Sequence, residues 1–333
     1  MQSLKPAIER AIYNSHISKE LLSVYLLFWM AVTTHRPIGH NIYDSNWDLL
    51  IVLDACRVDA LRSVEDEYSF IEEVMEITSL GSTSLEWMLK TFTERHLDEI
   101  RKTHYISTNG HLGQLSGADT TYFTFLQLQE TVVARTAWAN QLVKHNAVSE
   151  EDFAAIHRLY HLSERNPYGH TPLPDDVTDY AIQRGRELSD ERLIVHYMQP
   201  HAPYLKQAFE RGTIADHEAS PFTYLRSGGS NEAVREAYLD NLRFVLDSIE
   251  RLLDNIDAER VVITADHGEL FGEFSLYSHG AGVFHPNLKR VPWVETTARD
   301  TDGYIPDIDD ETKQDSDELE KQVKDQLEGL GYL

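Results

Sequence analysis

Asp266 and His267 are adjacent; they follow the apolar run Val261-Val262-Ile263-Thr264-Ala265 and precede Gly268 and Glu269. A carboxylate beside an imidazole offers a cation one oxygen and one nitrogen. A second carboxylate, Asp54, ends another apolar run, Leu49-Leu50-Ile51-Val52-Leu53. A carboxylate at such a tip is costly to bury unless a cation or strong donors meet it. Taken alone, Asp54 reads equally well as the N-cap of a helix beginning near Arg57. Two strands ending in ligand-type side chains favour the metal.

The elements that must hold these donors follow from hydrophobic pattern. Five apolar residues in a row suit a central parallel strand covered on both faces, and ligands of open α/β sheets sit beyond the carboxyl ends of strands. Arg192 to Tyr197 is a third strand, leading to Pro200 and His201, and Thr103 to Ser107 a fourth. Helices are expected over residues 57–64, 82–92, 177–188 and 231–255. Strands alternating with helices predict a three-layer α/β/α sandwich with a mostly parallel central sheet. Residues 118–163 lack strand alternation and read as helical cover, and 212–231 read as a long surface loop. The expected division is a helical extension over residues 1–45, then a catalytic domain over 46–299 with a helical lid at about 118–190. An acidic linker and C-terminal helix, with Leu319, Val323, Leu327 and Leu330 on one stripe, fill 300–333.

A phosphoryl- or sulfuryl-transfer centre also needs a nucleophile and donors for the equatorial oxygens. A helix N-terminus suits the nucleophile, because free N–H groups and the dipole favour anions there. Gly81-Ser82-Thr83-Ser84-Leu85-Glu86-Trp87 has that character. The bland reading of the same segment is a capping box, Thr83 with Glu86 three residues on.

Together these motifs resemble the sulfatase-like branch of the alkaline phosphatase superfamily. Leu53-Asp54-Ala55-Cys56-Arg57-Val58-Asp59-Ala60-Leu61 is similar to its first metal motif, and His201-Ala202-Pro203-Tyr204 to its His-x-Pro-Tyr substrate motif. Thr264 to Glu269, Ser278-His279-Gly280 and Arg290-Val291-Pro292 resemble its C-terminal metal and leaving-group region, in the family's order. The resemblance implies the same sandwich fold. It also implies one divalent ion on Asp54, Thr83, Asp266 and His267, with zinc or manganese preferred over magnesium and calcium. Matching Leu85 to the proline of the sulfatase Cys-x-Pro-x-Arg pattern puts Thr83 in the nucleophile's place, with Ser82 second. His201 and His279 then serve the leaving oxygen, and Arg57, Lys206 and Lys289 the substrate anion. His170, His196 and His285 receive no role. His201 has no nearby carboxylate in sequence, which matches the one-metal branch.

One departure bears on the reaction. Sulfatases convert the cysteine or serine of Cys/Ser-x-Pro/Ala-x-Arg to formylglycine, whereas the matched positions here are Thr83, Leu85 and Trp87. The resemblance therefore implies a phosphodiesterase-like hydrolase with a hydroxyl nucleophile, acting on a small-molecule or glycan-linked anionic ester. The alternatives are a sulfatase or a phospho- or sulfo-group transferase to a glycan or lipid head group, and a non-catalytic module of the same fold.

Composition narrows the setting. The 55 acidic against 30 basic residues give a net charge of -25, opposite to the basic footprint of a nucleic-acid binder. With 41% hydrophobic residues, the acidity belongs to a solvated surface that is screened at high salt, so a halophilic archaeal source is expected. The lone Cys56 excludes an intramolecular disulfide, fits the cytoplasm, and reads as a small buried hydrophobe beside an unhelpful carboxylate. The apolar run from Leu21 to Val32 is shorter than a membrane span. It is expected to pack on the domain, with peripheral membrane contact as its second reading.

Overall fold

The computed structural model describes residues 16–115, 132, 135–142, 146–169, 171–188 and 191–308. Leu49–Asp54 (β1) is buried along its whole length, and its side chains divide by the two-residue strand period. Leu49, Ile51 and Leu53 enter one core cluster, while Leu50 and Val52 enter the other. That division makes β1 the middle of three layers.

Six further strands complete the sheet: β2 (Met75–Thr78), β3 (Thr103–Ser107), β4 (Ala155–Arg158), β5 (Arg192–Pro200), β6 (Ala258–Thr264) and β7 (Arg290–Ala298). Their order is β2-β7-β6-β1-β5-β3-β4. β1 pairs in parallel with β5 on one side and β6 on the other, Ile51 lying opposite Val195 and Ile263. β3 and β4 continue in parallel beyond β5, and β7 and β2 close the other edge antiparallel. The fold is the expected α/β sandwich with a mostly parallel sheet.

The helices that matter to the site are α1 (His16–His35), α2 (Val58–Val64), α3 (Ser84–Thr91), α4 (Pro174–Glu187), α5 (Asn231–Leu253) and α6 (Pro286–Lys289). Val58, Leu61 and Val64 of α2, Val177 and Ala181 of α4, and Leu242, Val245 and Ile249 of α5 cover one sheet face. Leu26 and Met30 of α1 pack with Leu85, Trp87 and Met88 of α3 on the other. The long helix α5 starts at a Ser230 cap whose hydroxyl accepts from Ala233 N–H.

Two features differ from the sequence reading. Ala155–Arg158 is the edge strand β4, where helical cover was expected. Four half-buried residues with a histidine and an arginine carry too little alternation to declare it. The expected loop at 212–231 holds two short helices, Asp216–Ala219 and Pro221–Arg226, the second entered by a proline in its first turn. The expected C-terminal stripe from Leu319 to Leu330 and His170 lie outside the described residues, as do residues 118–131 of the expected lid.

Candidate functional site

The carboxyl ends of β1, β5 and β6 lie side by side, and each delivers a side chain. Beyond Asp54 the chain turns through Ala55 in the left-handed region, φ 60°, which a residue with a Cβ adopts only where its surroundings hold it. Ala55 N–H donates to Asp266 Oδ1 at 3.2 Å. The Tyr238 hydroxyl of α5 donates to Ala55 O at 2.8 Å and accepts from Arg57 N–H at 3.0 Å. Beyond β6, Gly268 passes so close to α6 that a methyl group there would overlap the carbonyl oxygen of Asn287. Gly268 N–H also donates to Leu288 O at 2.9 Å.

Asp54, Asp266 and His267 are fully buried and present ligand atoms within 4.8 Å of one another. Asp54 Oδ2 accepts from Asn109 Nδ2 at 2.9 Å and from Ser84 Oγ at 3.2 Å. Asp266 Oδ1 accepts from His267 N–H at 2.8 Å as well as from Ala55. Asp54 Oδ1 and Asp266 Oδ2 are buried and have no hydrogen-bond partner. His267 Nε2 faces both, at 3.6 and 3.5 Å. Its Nδ1 lies 2.8 Å from Gly268 O; a carbonyl only accepts, so Nδ1 carries the proton and Nε2 presents a lone pair. Burial and the neighbouring Asp266 carboxylate push Asp54 well above the usual carboxylate range. Two unsatisfied buried carboxylate oxygens and an imidazole lone pair, aimed at one point, fit a divalent cation.

The hydroxyl at this point belongs to Ser84, one residue beyond the expected Thr83. Ser84 Oγ stands 3.2 Å from Asp54 Oδ2 and 3.3 Å from His267 Nε2, at the first residue of α3. Thr83 is the extended N-cap, its Oγ1 accepting from Glu86 N–H at 3.2 Å. The capping role weighed for Thr83 is thus its observed contact, and the hydroxyl within hydrogen-bond reach of Asp54 and His267 is that of Ser84. Ser82 faces the other way, with its Oγ 2.7 Å from Glu86 Oε2 and 2.9 Å from Gly280 O. The site is built around the third hydroxyl of the triplet.

A second cluster borders the first. His201, Glu269 and His279 also bring ligand-type atoms within 4.8 Å of one another. The rings of His201 and His279 are 5.1 Å apart, and those of His267 and His279 4.3 Å. His279 Nδ1 lies 3.2 Å from Glu269 Oε2, and His201 Nδ1 lies 2.6 Å from Ala202 O. Burial lowers His201 and His279 to about 4 and raises Glu269 to about 7. Glu269 is the carboxylate neighbour that His201 lacks in sequence, carried in from the β6 loop. Its position beside the Asp266-His267 pair was the available signal. Asn109, at the end of β3, was missed because a single asparagine after a strand carries no pattern. His196, given no role, is buried with Nε2 3.7 Å from Asp266 Oδ2 and Nδ1 2.8 Å from the Tyr105 hydroxyl.

The three expected anion partners lie elsewhere. Arg57 is spent on the loop after Glu269: its guanidinium donates to Asp59 at 2.8 and 2.7 Å, to Glu273 at 2.6 Å and to Glu269 O at 3.1 Å. Lys206 pairs with Asp247 of α5 at 3.1 Å, on the surface. Lys289 is buried beside Glu86, and burial lowers it to about 8. Cys56 is buried in the core cluster, its thiol pushed up by desolvation. His285 caps α6, its Nδ1 accepting from Asn287 N–H at 3.1 Å.

A family model described as sulfatase matches residues 83–299. No curated protein sequence matches the chain. Among solved structures, the chain is similar to the soluble domain of lipooligosaccharide phosphoethanolamine transferase A from Neisseria meningitidis, at 13% identity and TM-score 0.48, covering 75% of this chain and 76% of that one. It is also similar to the C-terminal periplasmic domain of a phosphoethanolamine transferase from Campylobacter jejuni, at 17% identity and TM-score 0.45, covering 75% and 78%. A phosphonate monoester hydrolase from Silicibacter pomeroyi gives 12% identity and TM-score 0.32, covering 86% and 73%.

Proposed function

This chain belongs to the sulfatase family, and from that premise we propose that it is a metal-dependent enzyme of phosphate esters with Ser84 as its nucleophile. The observation that carries the reading is the Ser84 hydroxyl at the first residue of α3, within 3.3 Å of both Asp54 and His267. A divalent ion held by Asp54, Asp266 and His267 would supply positive charge that acidifies a nearby hydroxyl and steadies a developing oxyanion. The imidazole in that donor set favours zinc or manganese over calcium.

The remaining roles fall to the chain's own groups. Asp54 Oδ2 accepts the Ser84 hydrogen bond and Asn109 holds that carboxylate, which leaves the Ser84 lone pairs for attack on phosphorus. The new Ser84 Oγ–P bond forms as the ester P–O bond breaks. The Ser84 proton is released to water, and the leaving oxygen takes up a proton from the Glu269 carboxyl, raised to about 7 by burial, through His279 3.2 Å from it. Water or an acceptor alcohol then displaces phosphorus from Ser84 and restores the hydroxyl. Phosphate is favoured over sulfate because the formylglycine pattern is missing around Ser84 as well: the positions that require Pro or Ala and Arg hold Glu86 and Met88.

Transfer to a lipid-linked acceptor is the second reading, favoured by one observation. Leu21 and Phe28 of α1 are 67% and 70% exposed, an apolar stripe at helical spacing. No described helix is long and apolar enough to cross a membrane.

Turnover of a chromogenic phosphodiester with manganese or zinc tests the nucleophile. Ser84→Ala is expected to lose at least about 10³-fold in kcat. Thr83→Ala is expected to retain turnover and lose about 1 kcal/mol of stability with its cap. Wild-type rates in Ser84→Ala would sink the assignment.

A further inference from the structure

Glu86 is buried behind the nucleophile and does more than a capping glutamate. In a capping box the third-position glutamate returns to the N-cap N–H. Glu86 reaches one residue further, accepting from Ser82 N–H at 2.9 Å and Ser82 Oγ at 2.7 Å on Oε2. The same oxygen is 3.4 Å from Gly282 N–H, in the loop that carries His279. Its Oε1 accepts from Lys90 Nζ at 2.5 Å and from Trp29 Nε1 of α1 at 3.3 Å. Lys90 also donates to Thr33 of α1 at 2.7 Å.

Further contacts tie the same three segments. The Tyr25 hydroxyl of α1 donates to Gly282 O at 2.5 Å, and a methyl group on Gly282 would press on Leu26 and Trp29. Ser82 Oγ is 2.9 Å from Gly280 O. Burial alone would raise the Glu86 carboxyl, but Lys90, Lys289 and the Ser82 hydroxyl hold it at about 2. It stays a carboxylate in a fully buried position, where hydrogen bonds to an ionised acceptor are strongest.

We infer that Glu86 is a positioning residue that locks the Ser84 turn to the His279 loop, and that α1 braces this lock through Trp29 and Thr33. One carboxylate receives donors from the turn before Ser84, from the loop after His279 and from a helix outside the matched region 83–299. The separation of nucleophile and leaving-group histidine is therefore set from behind the site, through a group that touches neither reacting atom. The kinetic half of this inference rests on Ser84 being the nucleophile; the mechanical half does not.

Glu86→Gln removes the charge and keeps the shape. On bis(p-nitrophenyl) phosphate with manganese, it is expected to lower kcat about 10²-fold, the order that a misplacement near 1 Å costs. KM should stay within about twofold and bound manganese should be unchanged. Amide hydrogen exchange should become about tenfold faster in residues 81–84 and 279–283 together. Trp29→Phe, which keeps the packing and removes one donor, is expected to loosen the same two segments by a smaller factor. It decides the matter if Glu86→Gln fails to fold. Joint loosening supports the lock even if wild-type protein leaves the diester untouched, a result that would count against the Ser84 reading alone. Loosening confined to 81–84, or none in either variant, overturns it.

Discussion

Asp54→Asn should stabilise the ion-free protein while abolishing its response to metal, and the two effects have opposite signs for one cause. The Asp54 and Asp266 ligand atoms lie within 4.8 Å. At an effective dielectric of about 20, two like charges at that separation repel by about 3.5 kcal/mol. Each carboxylate also has an oxygen with no hydrogen-bond partner, so the donors on the other oxygen offset the repulsion only in part. An asparagine oxygen can still accept from Asn109 and Ser84, but its amide brings donors into a site built of acceptors. The expected net gain is therefore about 1–3 kcal/mol, or roughly 2–8 °C in Tm for a domain of this size. Adding manganese or zinc to wild type at a hundred times its Kd should contribute about 2.7 kcal/mol, and the variant should show none of it. The pH dependence follows from the raised Asp54 carboxyl. Between the unfolded value of 3.8 and the higher folded value, the native state binds the extra proton, so ion-free stability falls as pH rises. Asp54→Asn should flatten that slope. Scanning calorimetry after chelation, across pH and with metal restored, reads all of this. A variant less stable than wild type without metal, in a protein whose wild type ignores metal, would refute the reasoning.

Two other outcomes follow from the same geometry. Gly268→Ala should displace the turn after His267, because the added methyl overlaps the Asn287 backbone rather than a flexible side chain; the expected result is a loss of both Tm and bound metal, and unchanged metal content would count against it. His157 is partly buried between His104 and the Tyr180 hydroxyl, at 3.4 and 3.0 Å, and desolvation lowers it from 6.5 to about 4. Its contribution should be fully present above pH 6.5 and lost as pH falls toward 4; urea titrations of His157→Asn should show a shallower acid slope in that window.

The sheet's centre was legible because burial on both faces leaves an uninterrupted apolar run, as in β1 and in Val261-Val262-Ile263 of β6. Its rims were not. β2 pairs only with β7, and an edge strand tolerates polar residues, so its pattern fades; in β7, beside it, Pro292 and two threonines break the apolar run. Ligand types at strand ends were readable for the same reason that the strands were: Asp54 and Asp266 interrupt apolar runs where burial makes a charge costly.

The packing of the Ser82-Thr83-Ser84 turn and of the three cations needed three dimensions. Three consecutive hydroxyls differ only in helix phase: the N-cap must fold its side chain back toward the third residue, as Thr83 does, which releases the next one, Ser84, toward the strand tips. Spacing against a family pattern fixes that phase only to within a residue. Arg57, Lys206 and Lys289 were chosen for charge and neighbours in sequence, yet charge says nothing of whether a carboxylate already waits. Asp59 and Glu273 wait for Arg57 and Asp247 for Lys206, while Lys289 is buried under the influence of Glu86. In a chain with 55 acidic residues against 30 basic ones, a cation among the described residues readily meets a carboxylate, as Arg57 and Lys206 do. The residues that govern the anion are therefore to be sought among neutral donors and the proposed ion, with Ser84, Asn109, His201 and His279 foremost.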